Sequence, residues 1–60
     1  MPFVTVQMLS GRTDDQKKAL IEKVNAAVAE TTNASPESIH VIIQEMERTN
    51  YGVAGKRLSD

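Results

Sequence analysis

The chain has 60 residues and no cysteine, and the combination of short length and missing disulfides is what most limits its possible folds. A domain of this length buries only about 60% of its unfolded surface, and such a core supplies only a few kcal/mol. No disulfide is available to add stability, and a single histidine without thiols argues against a structural zinc site. We therefore predict one domain, residues 1–60, stabilised by self-association in which several chains share a core.

The charge pattern excludes several classes of partner. The net charge is −1, no Lys/Arg tract is present, and Phe3 and Tyr51 are the only aromatic residues, so we expect no nucleic-acid partner. No apolar run approaches the roughly 20 residues needed to span a bilayer. The amino terminus lacks the basic and apolar segments of a secretory signal. We expect a cytoplasmic protein with no membrane partner.

The first half of the sequence predicts a strand followed by a helix. Residues 3–9 include β-branched side chains and place Val4, Val6 and Met8 on one face, as in a strand. Thr13 and Gln16 have the spacing of a helix capping box. Apolar residues then recur at helical spacing, which predicts a helix over residues 13–32, ended by Asn33 in a left-handed conformation.

The second half predicts a short helical turn at Pro36, a second strand and a hairpin. The strand covers residues 39–46, and its centre at 41–43 is apolar on both faces, as in a strand covered from both sides. The glycines of the tail indicate a small hairpin. The predicted fold class is α/β: a single β-α-β unit with parallel strands and a short C-terminal hairpin, completed by oligomerisation.

Pro2 and Arg12 are the residues with the clearest chemical potential. Removal of Met1, which is usual before a small residue, would expose Pro2 as a secondary amine, and a neutral amine is a general base. Alternatively, Pro2 merely begins an edge strand. Arg12 follows the first strand, where ligands often bind, and a guanidinium holds a carboxylate through two hydrogen bonds. The alternative is a solvated arginine.

Four segments together resemble the 4-oxalocrotonate tautomerase family. They are Met1-Pro2-Phe3-Val4-Thr5-Val6, Leu9-Ser10-Gly11-Arg12-Thr13-Asp14-Asp15-Gln16-Lys17, Val41-Ile42-Ile43-Gln44-Glu45-Met46 and Asn50-Tyr51-Gly52-Val53-Ala54-Gly55. The resemblance covers essentially the whole chain. It implies a β-α-β unit with a small C-terminal hairpin, assembled as a hexamer that is made of dimers.

The resemblance also implies roles for individual residues. Pro2 corresponds to the family's amino-terminal general base, and Arg12 to an arginine that binds or polarises the substrate, often from a neighbouring subunit. Tyr51 corresponds to an aromatic residue of the apolar pocket. The implied reaction requires no cofactor and no metal, and no nucleotide-binding fingerprint is present.

One position departs from the family pattern. His40 stands where the founding members carry a second arginine, and an imidazole lacks the permanent bidentate charge of a guanidinium. His40 is either a substrate-binding residue or a strand residue without a chemical role. Two further groups are interpreted as structural or solvated: Met8 and Met46 as core, and Arg48, Lys56 and Arg57 as solvated or interface residues.

These features predict a tautomerase that moves a proton in small unsaturated 2-oxo or 2-hydroxy carboxylic acids. Pro2 is the base, Arg12 binds the substrate and stabilises the dienolate, and the apparent pKa of Pro2 is expected below that of an exposed secondary amine. Two alternatives stay open. The chain is a non-catalytic oligomeric module that binds small anions, or a family relative whose main reaction is hydration or dehalogenation.

Overall fold

Two parallel strands and the helix between them form the body of the chain. The computed structural model describes residues 1–60. The strands are β1 (Phe3–Leu9), β2 (His40–Met46), β3 (Gly52–Val53) and β4 (Lys56–Arg57), and the helix is α1 (Asp14–Thr32). Single 3₁₀ turns at Pro36–Ser38 and Arg48–Asn50 lie on either side of β2. The predicted β-α-β order and the C-terminal hairpin are confirmed.

The helix begins and ends where its capping residues dictate. Thr13 Oγ1 accepts a hydrogen bond from the Gln16 amide at 3.1 Å, and Gln16 Oε1 accepts one from the Thr13 amide at 2.9 Å. This reciprocal pair is the predicted capping box. At the other end Asn33 has a φ of 64°, and its amide donates to the carbonyl of Ala29. Local sequence chemistry therefore sets both ends of α1.

β1 and β2 pair in parallel from Phe3 opposite His40 to Leu9 opposite Met46. The His40 amide donates to the carbonyl of Pro2 at 3.0 Å and extends the pairing by one residue at its start. β2 begins at His40, one residue later than predicted, because the Ile39 amide donates to Pro36 and closes the preceding 3₁₀ turn.

The two faces of this sheet have different environments. One face packs against α1 through half-buried side chains, namely Val4, Val6, Met8, Val41 and Ile43 on the strands and Leu20, Val24 and Val28 on the helix. Lys17 and Glu45 form an ion pair of 3.1 Å across the same layer. The opposite face is uncovered, with Phe3 63% and Ile42 48% exposed. Met8 and Met46 lie on opposite faces, because odd and even strand positions alternate, so they do not form one core pair.

A single chain leaves this architecture unfinished. None of the 60 residues is buried, and the accessible surface is 4740 Å², against about 3900 Å² expected for a compact protein of 6.6 kDa. The radius of gyration is 14.4 Å, against about 10 Å for a compact chain of this length. The molecule is a slab of 43 × 25 × 13 Å. These dimensions agree with a core that several chains share.

The C-terminal hairpin turns through Ala54 and Gly55, whose φ angles are 54° and 83°. Positive φ at both central residues defines the turn that matches the natural twist of a two-residue hairpin. The hairpin is joined to the segment before it by a 2.9 Å hydrogen bond from the Leu58 amide to the Tyr51 carbonyl. None of the helices combines the length and apolar character that crossing a membrane requires.

Candidate active site

Pro2 lies immediately before β1, at the amino end of the sheet. It is half-buried, and its carbonyl is held by the His40 amide. Met1 precedes it and is 82% exposed. While Met1 is attached, the Pro2 nitrogen is an amide whose lone pair is delocalised, so it cannot accept a proton. Loss of Met1 would turn the same nitrogen into an amine fixed at the start of a strand.

His40 and Phe3 stack beside Pro2 on the uncovered face of the sheet. Their ring centroids are 4.6 Å apart and their planes differ by 13°. This contact follows from the strand register, which places Phe3 directly opposite His40. The structure therefore brings two of the predicted site residues, Pro2 and His40, to one end of the sheet. It also gives that end an aromatic surface.

Arg12 lies at the opposite, carboxyl end of the sheet. The Ser10 amide donates to the carbonyl of Met46 at 2.9 Å, which continues the sheet for one residue past β1. Gly11 then has a φ of 124°, a conformation that side-chain-bearing residues rarely adopt, and directs the chain away from the sheet. This turn positions Arg12 just before the helix cap.

A cavity of about 400 Å³ opens at this carboxyl end. Its lining consists of Met8, Leu9, Ser10, Gly11, Arg12 and Arg48. The cavity thus combines two guanidinium groups with a hydroxyl group and an apolar wall. Arg48 was interpreted from the sequence as a solvated or interface residue. Its position two residues after β2 was the available signal, because parallel strands end at the same edge of a sheet.

Tyr51 also follows β2, but its side chain is not part of the cavity lining. It is 38% exposed and stands between the second 3₁₀ turn and the hairpin. Val53 and Leu58 of the same tail are 64% and 42% exposed. The tail therefore presents an apolar surface of its own.

One chain does not bring all the predicted site residues together. Pro2 and His40 lie at the amino end of β1 and Arg12 at its carboxyl end, and this strand of 7 residues is about 20 Å long. A small acid cannot contact both ends at once. A base and an arginine can therefore meet at one substrate only if they come from different chains.

The described chain contains no group of three or more His, Cys, Asp or Glu side chains arranged to hold a metal ion. The polar side chains at the two ends include an imidazole, a hydroxyl group and two guanidinium groups, and loss of Met1 would add the amine of Pro2. Such groups can accept or donate a proton and can bind an anion.

Comparison with known proteins gives consistent matches. The family model described as "Tautomerase enzyme" matches residues 2–60. The 2-hydroxymuconate tautomerase of Bacillus subtilis is 65% identical over 60 residues, which cover 100% of this chain and 97% of that protein. The probable tautomerase BH3814 of Halalkalibacterium halodurans is 62% identical over 60 residues, with 100% and 98% covered.

Solved structures agree with these matches. YwhB, a homologue of 4-oxalocrotonate tautomerase, superposes with a TM-score of 0.95 at 64% identity and covers 98% of this chain and 97% of its own. A heterohexameric 4-oxalocrotonate tautomerase from Chloroflexus aurantiacus superposes with a TM-score of 0.91 at 30% identity, with 100% and 97% covered.

Proposed function

The chain belongs to the tautomerase family, and on that premise we propose that it moves a proton within small unsaturated 2-oxo or 2-hydroxy acids. Residues 1–60 act as one tautomerase domain, and the nitrogen of Pro2, freed by removal of Met1, is the general base. The single observation that carries this proposal is the position of Pro2. It is the first residue of the matched segment 2–60, stands directly before β1 and follows the exposed Met1.

Four features suit Pro2 to proton transfer. Its ring fixes the direction of the nitrogen lone pair, and the hydrogen bond from His40 fixes its carbonyl. Partial burial disfavours the charged ammonium and so favours the neutral amine, which is the form that accepts a proton. The exposed Met1 is accessible for removal.

Arg12 of a neighbouring chain completes the proposed site. Its guanidinium makes no hydrogen bond or ion pair within its own chain, so it is free to bind an anion. It binds the substrate carboxylate or the 2-oxo oxygen and stabilises the negative charge that develops in the dienolate. Because Pro2 and Arg12 of one chain lie at opposite ends of β1, this separation supports an arginine that is supplied by a second chain.

The reaction requires one base, and the substrate and the product have the same atoms. Neutral Pro2 removes a proton from the 2-hydroxyl group, or from the carbon next to the carbonyl, and the electron pair left behind delocalises over the conjugated system. Protonated Pro2 then returns the proton to a different carbon, which leaves the substrate isomerised and the base neutral. The name of the Bacillus subtilis relative makes 2-hydroxymuconate the first substrate to test.

We further propose a homo-oligomer, with a hexamer as the expected state. The excess surface of the single chain, its flat shape and the exposed Phe3 and Ile42 on the open face support this assembly. The heterohexamer from Chloroflexus aurantiacus shows this number of subunits in a relative. In the assembly, Tyr51 contributes to the apolar wall of the site and His40 contacts the substrate beside Pro2.

Matches to named tautomerases along the whole chain favour this enzyme over a non-catalytic anion-binding module. Hydration or dehalogenation as the main reaction has no specific observation in its favour.

The test compares chains with and without a residue before Pro2. A chain that retains Met1 should fold and assemble yet turn over an enolised 2-oxo acid at least about a hundredfold more slowly than the processed chain, because it lacks the base. The kcat/KM of the processed chain should rise with pH as Pro2 loses its proton. Mass spectrometry of the intact chain gives the Met1 state, and circular dichroism controls for folding. Full turnover by a uniformly Met1-retaining sample would contradict the proposal.

A further inference from the structure

The cavity at the carboxyl end of the sheet is lined by two arginines that form no ion pair within the chain. The ion pairs of the chain are Lys17 with Glu45 and Arg57 with Asp60. These two ion pairs do not involve Arg12 or Arg48. The side chains of Arg12 and Arg48 also donate no hydrogen bond to a protein acceptor in the structure. Two fixed positive charges therefore line one cavity of about 400 Å³.

None of the acidic side chains near this cavity forms an ion pair with Arg12 or Arg48. Glu45, at the carboxyl end of β2, is held at 3.1 Å by Lys17. Asp14 and Asp15 lie in the first turn of α1, where the helix dipole favours negative charge. Glu47 precedes Arg48 in the chain but makes no ion pair with it. The charged residues that line the cavity are therefore both positive, and they are available to an anion from outside the chain.

We propose that Arg48 is a substrate-binding residue, which holds the substrate carboxylate together with Arg12 of the same chain. This assignment rests on the proposed function. A carboxylate has two oxygens and about four lone-pair positions, which two planar guanidinium groups can satisfy together. The apolar wall formed by Met8 and Leu9 accommodates the hydrocarbon part of the acid.

The assignment changes where the second positive charge of the site lies. The resemblance implies a second arginine at the start of strand two, where this chain has His40. Here the second permanent cation follows the end of β2 and lines the cavity with Arg12. The site therefore keeps two permanent cations but concentrates them at one end of the substrate.

The test measures KM and kcat with a 2-hydroxydienoic acid and with its uncharged methyl ester. Arg48→Ala should raise KM for the acid about ten- to hundredfold, the value of a lost hydrogen bond to a charged group, while KM for the ester changes little. Arg48→Lys should recover part of the loss, because it keeps the charge but not the planar fork. Lys23→Ala removes the same charge from the surface of α1 and should change neither KM.

The outcomes separate this assignment from the function on which it rests. No turnover of any enolised 2-oxo acid by the processed wild type would overturn both. Normal wild-type turnover with an unchanged KM in Arg48→Ala, or equal losses on acid and ester, would overturn the assignment of Arg48 alone. Because the Arg48 side chain is exposed, both substitutions should leave the circular dichroism spectrum unchanged.

Discussion

The two ends of the β1–β2 sheet carry complementary parts of one chemistry. At the amino end stand a proline nitrogen, an imidazole and a phenyl ring. At the carboxyl end stand two arginines around a cavity. One end is equipped to move a proton and the other to bind an anion, and about 20 Å of strand lies between them. The proposed site, which combines Pro2 with Arg12, therefore requires ends from different chains.

The parallel pairing creates this division. In a parallel sheet the starts of both strands meet at one edge and the finishes of both at the other. Phe3 is therefore opposite His40, and Leu9 is opposite Met46, which places Arg12 and Arg48 near each other. Antiparallel pairing of the same segments would place Arg48 at the Pro2 end.

The largest expected effect comes from keeping the chains apart. Ile42→Lys places a charge on the open face of the sheet, and an unpaired charge in an interface costs several kcal/mol. The variant should dissociate, and its turnover should fall to the background rate. In a single chain the Pro2 end has no Arg12 from a second chain beside it. Sedimentation at micromolar concentration gives the state of assembly.

Ala26→Lys, on the exposed side of α1, is the control for the added charge and should remain assembled and active. A wild-type chain that sediments as a stable folded monomer would contradict the shared core. An active Ile42→Lys monomer would contradict the claim that the base and the arginine come from different chains.

A smaller effect should follow from disabling the carboxyl end alone. Arg12→Ala should lower kcat/KM by roughly two to four orders of magnitude, as loss of charge stabilisation in a transition state commonly does. Mixing subunits of this variant with subunits that retain Met1 should restore part of the activity. Some sites in the mixed oligomer then receive an intact base from one chain and an intact arginine from another.

Subunit exchange is achieved by denaturing and refolding the two variants together, and separately refolded variants serve as the control. If co-refolded variants are no more active than the sum of the two alone, base and arginine do not come from different chains.

The smallest effect should arise at the amino end, where His40 replaces an arginine. His40→Arg adds a permanent bidentate charge beside Pro2, so it should improve kcat/KM for a dicarboxylate by about tenfold, the lower end of the value of one hydrogen bond to a charged group. A monocarboxylate should gain much less, since its single charge is already held at the other end. Equal changes for the two substrates would remove His40 from the substrate-facing surface.

Much of the fold is predictable because it depends on neighbours in sequence. The Thr13 and Gln16 pair sets the start of α1, Asn33 sets its end, and the β-branched residues at 4–6 predict β1. The late start of β2 was missed because it depends on a hydrogen bond of the 3₁₀ turn that closes on Ile39. Local patterns do not resolve a boundary of one residue.

The candidate site was harder to predict because it depends on register. Pro2 and Arg12 were identified from their residue types, their positions in the chain and the family resemblance. The stacking of His40 on Phe3 follows only once Phe3 is known to face it, and the same holds for Arg48 beside the Arg12 cavity. No pattern in the sequence shows how a second chain would place its Arg12 beside Pro2.

The distance between the two ends also affects how this gene can evolve. In the proposed assembly each chain donates its base to one site and its arginines to another, so a substitution at either end disables a different site. After a gene duplication, one copy can lose its proline and the other its arginines without loss of every site, provided the two products assemble together. The spacing imposed by β1 thus makes the division of one enzyme into two interdependent subunits tolerable to selection.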